Sequence, residues 1–309
     1  MRPLNIGIIG FGKIAADQHV PSIAGNDRFE LVATVSRSGT GTARRFSDYR
    51  DMLDQVPDLD AVALTTPPTA RYDIARDCLE RGLHVLLEKP PTVTLAEIND
   101  LACIAETERR TLFTTWHARH NAAVEAAGAA LAGKRIAGME IVWHEDVRKW
   151  HPGQQWIWEP GGFGVFDPGI NALSIATAIF PGPLFVQQAA LSFPENAQTA
   201  IAAAVDFASP VADGPLHGSF DWRRSEGEEW TITIHTAEGS EVRISDGGGK
   251  LAIDGVEYGA KGIGEYPDIY RRFVQLIDER QSDVDIAPLR LVADCLLLGR
   301  RETAGPTPD

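Results

Sequence analysis

Cysteine is scarce. The 309 residues hold three, Cys78, Cys103 and Cys295, far apart in the chain. An odd, scattered set supports neither a disulfide framework nor a cysteine-based zinc site. Positive charge is short as well: Lys and Arg total 29 against 43 for Asp and Glu, a formal net charge of -14. That balance argues against nucleic acid and anionic membrane as partners, because both are polyanions, yet it leaves room for a phosphate held by local donors. No apolar run approaches the length that crosses a bilayer. No His-x-x-x-His pair or cluster of carboxylates suggests a metal, and no Ser-His-Asp arrangement suggests a nucleophile. Internal repeats and long linkers are missing too. Met1-Arg2-Pro3-Leu4 runs straight into a strand pattern without a signal-peptide signature, so a cytoplasmic protein is expected.

What is present suits a globular chain long enough for two domains: 44% hydrophobic and 23% charged residues. Apolar strand patterns at 4–9, 29–35, 60–64, 83–87 and 112–115 alternate with helical segments. Several are apolar on both faces, as in a buried parallel sheet. Thr94-Leu95-Ala96-Glu97 is a capping box, and Leu95, Ile98, Leu101, Ala102 and Ala105 form one stripe behind it. This rhythm predicts a doubly wound α/β domain over 1–118. Beyond residue 120 the texture changes. A helix near 121–131 leads to an apolar stretch at 139–143. Trp230 to His235 alternates apolar and polar, Val242 and Ile244 continue the habit, and Asp254-Gly255 reads as a hairpin turn. An α+β domain over 119–309 is predicted, with an antiparallel sheet open on one face, able to pair with a second subunit. Residues 289–300 read as a helix that could pack back on the first domain.

Gly10-Phe11-Gly12-Lys13-Ile14-Ala15 follows the first strand and opens a helix. A G-x-G-x-x-[GA] match in that setting is a dinucleotide-binding fingerprint of the Rossmann type. Gly10 permits the tight turn, Gly12 lets the backbone approach a pyrophosphate, and Ala15 allows close helix packing. Lys13 and Ile14 continue the phosphate-binding turn, where a helix N-terminus offers N–H groups. At the end of the second strand stand Ser36-Arg37-Ser38 where an acidic residue would serve NAD. Arg37 can pair with a 2′-phosphate and Ser36 can donate to it, so NADP is the expected cofactor, with NAD accepted too.

The run Leu83-His84-Val85-Leu86-Leu87-Glu88-Lys89-Pro90, with Thr66-Pro67 and Asp167-Pro168-Gly169-Ile170-Asn171, resembles the glucose–fructose oxidoreductase and inositol dehydrogenase family along nearly the whole chain. Within it, Asp17-Gln18-His19-Val20-Pro21, Trp116-His117, residues 145–151 and Trp156-Ile157-Trp158-Glu159-Pro160 are most similar to the bacterial branch that oxidises L-arabinose and D-galactose at C1. The resemblance implies a sugar substrate, and it adds Thr66, Pro67, Glu88 and Lys89 to the cofactor-binding set. Two departures stand out. The family's Asp-x-x-x-His ends here in Asn171, which cannot exchange a proton at neutral pH. Its Thr-Pro-Asn-x-x-His reads Pro68 and Arg71 at the last two defined positions.

Lys89 ends a buried strand at the carboxyl edge, where α/β sheets bind ligands, and a lysine is costly to bury without purpose. Lys89 is therefore one catalytic candidate, and the resemblance implies Asp167 as the other. Asp167-Pro168 also reads as a helix cap followed by a first-turn proline, with Asn171 one turn further on the same face. Residues 145–151 mix charge, an aromatic ring and an imidazole, the mixture that binds sugars. Glu145, Trp150, His151, Asn171 and His117 are the expected sugar contacts. His19, His84, His144, His217 and His235 read as structural or exposed. The expected activity is oxidation of an aldose at C1 to its lactone with NADP. Oxidation of a ring hydroxyl and a catalytically idle NADP sensor are the alternatives.

Overall fold

The computed structural model describes residues 2–38, 41–259 and 261–307. The chain divides into two compact units, one built from Met1–His117 with Ile263–Ile286, the other from Ala118–Gly262 with Ala287–Asp309. In the first unit, strands β1 (Leu4–Ile9), β2 (Phe29–Val35), β3 (Arg44–Phe46), β4 (Ala61–Leu64), β5 (His84–Leu87) and β6 (Leu112–Thr114) form a sheet ordered β3-β2-β1-β4-β5-β6, with every pairing parallel. Helices α1 (Val20–Ala24), α2 (Tyr49–Gln55), α3 (Arg71–Glu80) and α4 (Leu95–Thr107) connect them. The order reverses between β1 and β4, and the carboxyl ends beside such a switch are where doubly wound sheets take ligands.

Strand alternation explains the two-sided burial. Ile6, Ile8, Ala61, Ala63 and Leu86 belong to one core cluster with Ile23 of α1. Gly7 faces the other way, and a Cβ there would come within 3.1 Å of the Met52 sulfur on α2. The capping box forms: Glu97 N donates to Thr94 Oγ1 at 3.3 Å and Thr94 N to Glu97 Oε2 at 3.0 Å. The short β3 gave no pattern in the sequence, since Arg44 and Arg45 are exposed and only Phe46 is buried.

The second unit holds α5 (Ala122–Leu131), α6 (Val147–Trp150) and α7 (Phe166–Ile179), with β7 (Ile136–His144), β8 (Phe185–Pro194), β9 (Ala202–Ala208), β10 (Leu216–Asp221), β11 (Glu229–Thr236), β12 (Glu241–Ser245), β13 (Lys250–Ile253) and β14 (Val256–Tyr258). A last strand, β15, completes the sheet β14-β13-β12-β11-β7-β10-β9-β8-β15. Met139, Ile141 and Trp143 of β7 are buried, whereas Glu140 is exposed and Val142 and His144 are half-buried. Helices α5 and α7 pack on the sheet. Asp254 and Gly255 have φ of 51 and 77, the double left-handed turn of a tight hairpin, and join Ile253 to its partner Val256. The sheet is mixed where an antiparallel one was expected. β10 lies parallel to β7, and β15 parallel to β8. β10 reaches β7 only after the chain has crossed over through α7, β8 and β9, and crossovers deliver parallel neighbours.

The C-terminal elements divide differently from the sequence reading. Helix α8 (Glu265–Glu279) belongs to the first unit, and helix α9 (Ala287–Leu298) followed by β15 (Gly299–Ala304) to the second. The helix that packs back is thus α8, because it carries the apolar stripe Tyr266, Ile269, Tyr270, Phe273 and Leu276, all buried in the first core. Phe273 stacks on Phe29 and Phe113, with ring centroids 5.8 and 6.2 Å away. α9 packs on β8 and α7 of its own unit. It ends before Arg300, since Gly299 turns the chain so sharply that a Cβ would stand 2.4 Å from the Cys295 carbonyl.

Candidate active site

At the end of β1 the backbone of Gly10 adopts φ 102, and the amides of Gly10 and Phe11 both donate to the Val35 carbonyl, at 2.9 and 2.8 Å. A Cβ at Gly10 would come within 2.6 Å of the Thr66 nitrogen. Gly10 is therefore demanded by close packing of the β1 turn on the β4 turn. Gly12 is different: a Cβ there would meet only the Gly10 carbonyl, at 3.8 Å. Its absence leaves backbone exposed for a ligand to approach. Residues 13–24 are helical from this point, with Ala15 fully buried. Lys13 is exposed and paired with Asp17, and Ile14 is exposed. Ser36 is buried with its hydroxyl 2.8 Å from that of Ser38. Arg37 is exposed and has no hydrogen-bond or ion-pair partner among the described residues. Thr66 Oγ1 is buried with no hydrogen-bond partner, which leaves a polar atom waiting for a ligand. Open backbone at Gly12, an orphaned hydroxyl at Thr66 and an unpaired cation at Arg37 fit a dinucleotide.

Pro67 starts a short turn of helix before α3. At the end of β5 stand Glu88, buried, and Lys89, half-buried, the latter joined to Pro90 by a cis peptide bond. Glu88 Oε1 accepts from the Tyr266 hydroxyl at 2.8 Å and lies 3.1 Å from His19 Nε2, while its Oε2 accepts from the Lys89 amide at 3.0 Å. Burial pushes this carboxyl up, but the His19 hydrogen bond, together with the charges of His19, His117 and Arg71, outweighs burial and brings it to about 2. Burial and the Glu88 charge push the Tyr266 and Tyr270 phenols well above their usual range. His117 Nδ1 is 2.8 Å from Glu265 Oε2, and its ring stacks on Tyr266. Glu88, placed in the cofactor-binding set by the sequence, is thus engaged inside the protein.

In the second unit, Asp146 caps α6 by accepting from Arg148 N at 2.9 Å, which sets Trp150 and His151 at the helix end. His151 Nε2 stands 3.1 Å from Asp167 Oδ2. Its ring lies against Trp222 at 5.2 Å and Trp156 at 6.5 Å. Trp222 donates to one oxygen of buried Glu145 and Trp230 to the other, both at 3.0 Å. Glu145, His151 and Asp167 therefore belong to one connected group. Trp150 stands on its margin, 45% exposed, against Trp230 and donating to Glu228. Asp167 is not the helix cap that its neighbour Pro168 suggested. α7 is capped at Val165, without a side-chain bond, and Asp167 is the second helical residue, its carboxylate held by His151. Asn171 follows one turn later, and its Oδ1 is buried without a hydrogen-bond partner. Gly169 between them allows contact with β10, where a Cβ would meet Phe220 at 2.9 Å. Among the described residues no group of three or more His, Cys, Asp or Glu could hold a metal ion.

Residues 4–115 match an oxidoreductase family with an NAD-binding Rossmann fold, GFO/IDH/MocA. A galactose 1-dehydrogenase of Pseudomonas fluorescens is 44% identical over 304 residues, 97% of each chain. The chain belongs to this family. The crystal structure of a D-galactose-1-dehydrogenase from Rhizobium etli superposes on it with a TM-score of 0.94 at 48% identity, over 100% of this chain and 99% of that one. A 3-ketoreductase from Actinomadura kijaniata, in complex with NADP, shares the fold with a TM-score of 0.83 at 16% identity, over 98% and 99% of the two chains. As a GFO/IDH/MocA member the protein is an NAD(P)-dependent oxidoreductase with a Rossmann domain. No helix among the described residues is long and apolar enough to cross a membrane.

The sequence reading did not single out Tyr266, Tyr270, Trp222 and Trp230, and it read His19 as structural. The only signal for the tryptophans was their number beyond residue 118, where six of seven occur. Of the other histidines, His144 lies 2.8 Å from the Ser219 hydroxyl, and His217 the same distance from Asp206.

Proposed function

We propose that the protein is an aldose 1-dehydrogenase that oxidises D-galactose, L-arabinose and D-fucose at C1 to the lactone, preferring NADP and accepting NAD. The observation that carries the reading is the orphaned Asn171 Oδ1 one helical turn from Asp167: a buried acceptor without a partner, beside an ionisable carboxylate, awaits a hydroxyl. The full-length likeness to two galactose 1-dehydrogenases supports the substrate class. Gly10, Gly12, Lys13, Ile14, Ser36, Arg37, Thr66, Pro67 and Lys89 would hold the nucleotide, with Glu88 acting behind Lys89. The bound nicotinamide supplies the hydride acceptor, which must come within about 3–3.5 Å of C1. Asp167 or Lys89 takes the proton of the C1 hydroxyl. Glu145, His151 and Asn171 would grip the ring hydroxyls, while Trp150 and His117 face the remainder of the sugar. Unpaired Arg37 supports the NADP preference. Free cysteines at 78, 103 and 295 support a cytoplasmic setting, and the half-exposed face of the mixed sheet supports pairing with a second copy.

The test is absorbance at 340 nm with NADP or NAD and a panel of D-galactose, L-arabinose, D-fucose, D-glucose and myo-inositol. Reduction with the first three and lactone as product is the expected result. Turnover of myo-inositol alone, which has no anomeric carbon, would replace C1 oxidation by ring-hydroxyl oxidation. Silence with the whole panel would leave an NADP-binding protein without this activity.

A further inference from the structure

Around the peptide of Lys89 the protein keeps more buried charge than a sheet edge needs. Arg71, the first residue of α3, is 5% exposed. Its Nε donates to the Thr66 carbonyl at 2.7 Å, and its Nη1 donates to the carbonyls of both Glu88 and Pro90. Thr66 lies just past β4 and Glu88 to Pro90 just past β5, so one guanidinium ties the two loops together. The middle residue of the second loop is Lys89. Its amide is held in turn by the Glu88 carboxylate, which Tyr266 and His19 hold through its other oxygen. His19 is itself fixed by the Tyr270 hydroxyl, 2.7 Å from its Nδ1. Arg71, Glu88 and His19 are buried polar groups whose desolvation is costly, and apolar packing could close the same space at lower cost. Arg71 is also the residue that stands where the family pattern has His, and the structure gives that departure a task.

We propose that Arg71 and Glu88, supported by His19 and Tyr266, are positioning residues that fix the backbone on both sides of Lys89 and so aim its side-chain nitrogen at the reacting hydroxyl. The inference rests on the reading of Lys89 as a reacting group. A planar guanidinium suits three carbonyls in a way that a single ammonium does not, because its donors are splayed in a rigid fork. The Glu88 carboxylate offsets the guanidinium charge and leaves an oxygen for the Lys89 amide. Misplacement of a catalytic group by about 1 Å costs roughly 100-fold in rate. The clamp should therefore be felt in turnover at saturation, more than in binding.

The experiment compares wild type with Arg71→Lys, Glu88→Gln and Tyr266→Phe. Steady-state kinetics with D-galactose and NADP are measured alongside NADPH affinity by fluorescence and amide exchange of residues 86–92. Arg71→Lys and Glu88→Gln should lower kcat by about 10- to 100-fold. KM for the sugar and the NADPH affinity should stay within about threefold. Tyr266→Phe, which keeps the ring and removes one donor, should lose about three- to tenfold in kcat. Exchange at Lys89 should quicken in the first two variants. Wild-type kcat in all three, with only the melting temperature lowered, would mean that the network holds the fold together and positions nothing. A wild-type enzyme silent on every aldose would overturn the proposed activity alone. The exchange data then decide the clamp: unchanged protection at Lys89 in Arg71→Lys and Glu88→Gln would overturn it.

Discussion

His151 and Asp167 meet across two helices, the imidazole Nε2 at the end of α6 standing 3.1 Å from the carboxylate in the first turn of α7. Asp167 is buried and His151 nearly so, which makes this pair different from the exposed ion pairs elsewhere on the second unit. Asp167→Ala should lower kcat by about 100- to 10,000-fold, the usual contribution of a positioned acid or base, while NADP binding survives. His151→Asn should weaken turnover too. The double variant should lose less than the product of the two single losses, because the groups act on one another. Near-normal kcat in Asp167→Ala with a lower melting temperature would reduce Asp167 to a helix-terminus role.

Arg37 bears on the choice of nucleotide. A charge-assisted hydrogen bond to a 2′-phosphate is worth about 1.5–3 kcal/mol, or roughly 10- to 150-fold in kcat/KM. Arg37→Ala should lose that factor with NADP and little with NAD. Equal losses with both nucleotides would show that Arg37 does not read the phosphate.

Sugar selectivity should follow the ring hydroxyls. L-Arabinose and D-galactose share their configuration at C2, C3 and C4 and differ only at C5, where one small group is worth about 1–3 kcal/mol. D-Fucose should react with them. D-Glucose, inverted at C4, would leave a buried polar partner unpaired and should have a much lower kcat/KM. Equal kcat/KM for glucose and galactose would remove the C4 argument.

Acid should loosen the first unit in two steps of the same sign. Burial, with help from the Arg110 charge, brings the half-buried His84 imidazole down to about 4, and its Nδ1 accepts from the Thr111 amide at 3.0 Å. The folded state binds this proton less readily than the unfolded chain. Stability is therefore complete above about pH 6.5 and falls as the pH drops toward 4, by an amount on the order of 2–3 kcal/mol. Glu88, lowered to about 2, adds stability above about pH 4.5 that is lost as the pH falls through the folded value. Native-state hydrogen exchange of the β5 amides from pH 7 to pH 4 reads the first step, and His84→Gln should flatten it. An unchanged slope in His84→Gln would assign the loss to other groups.

Phe273 is fully buried between Phe29 and Phe113. Phe273→Ala should destabilise the protein by about 3–5 kcal/mol in urea unfolding, the range for emptying an aromatic core site. A loss below about 1 kcal/mol would mean that α8 is a loosely held addition to the first unit.

The sequence by itself determined what is local. The strand and helix rhythm of residues 4–115, the Gly10 turn, the capping box at Thr94 and the Asp254-Gly255 hairpin are each written within a few neighbouring residues, because backbone preference and hydrophobic period act at that range. Lys89 at a strand end and Arg37 at the second strand's end were legible for the same reason. Only the tertiary structure decided which distant groups meet. Glu88 finds His19 69 positions back and Tyr266 178 positions ahead, and His151 finds Asp167 rather than solvent. It also decided that α8 joins the first unit and that β7 and β10 run parallel. A contact between residues far apart in the chain leaves no period in the sequence. It exists because the sheets bring the two ends together, and burial then makes leaving either partner unpaired too costly.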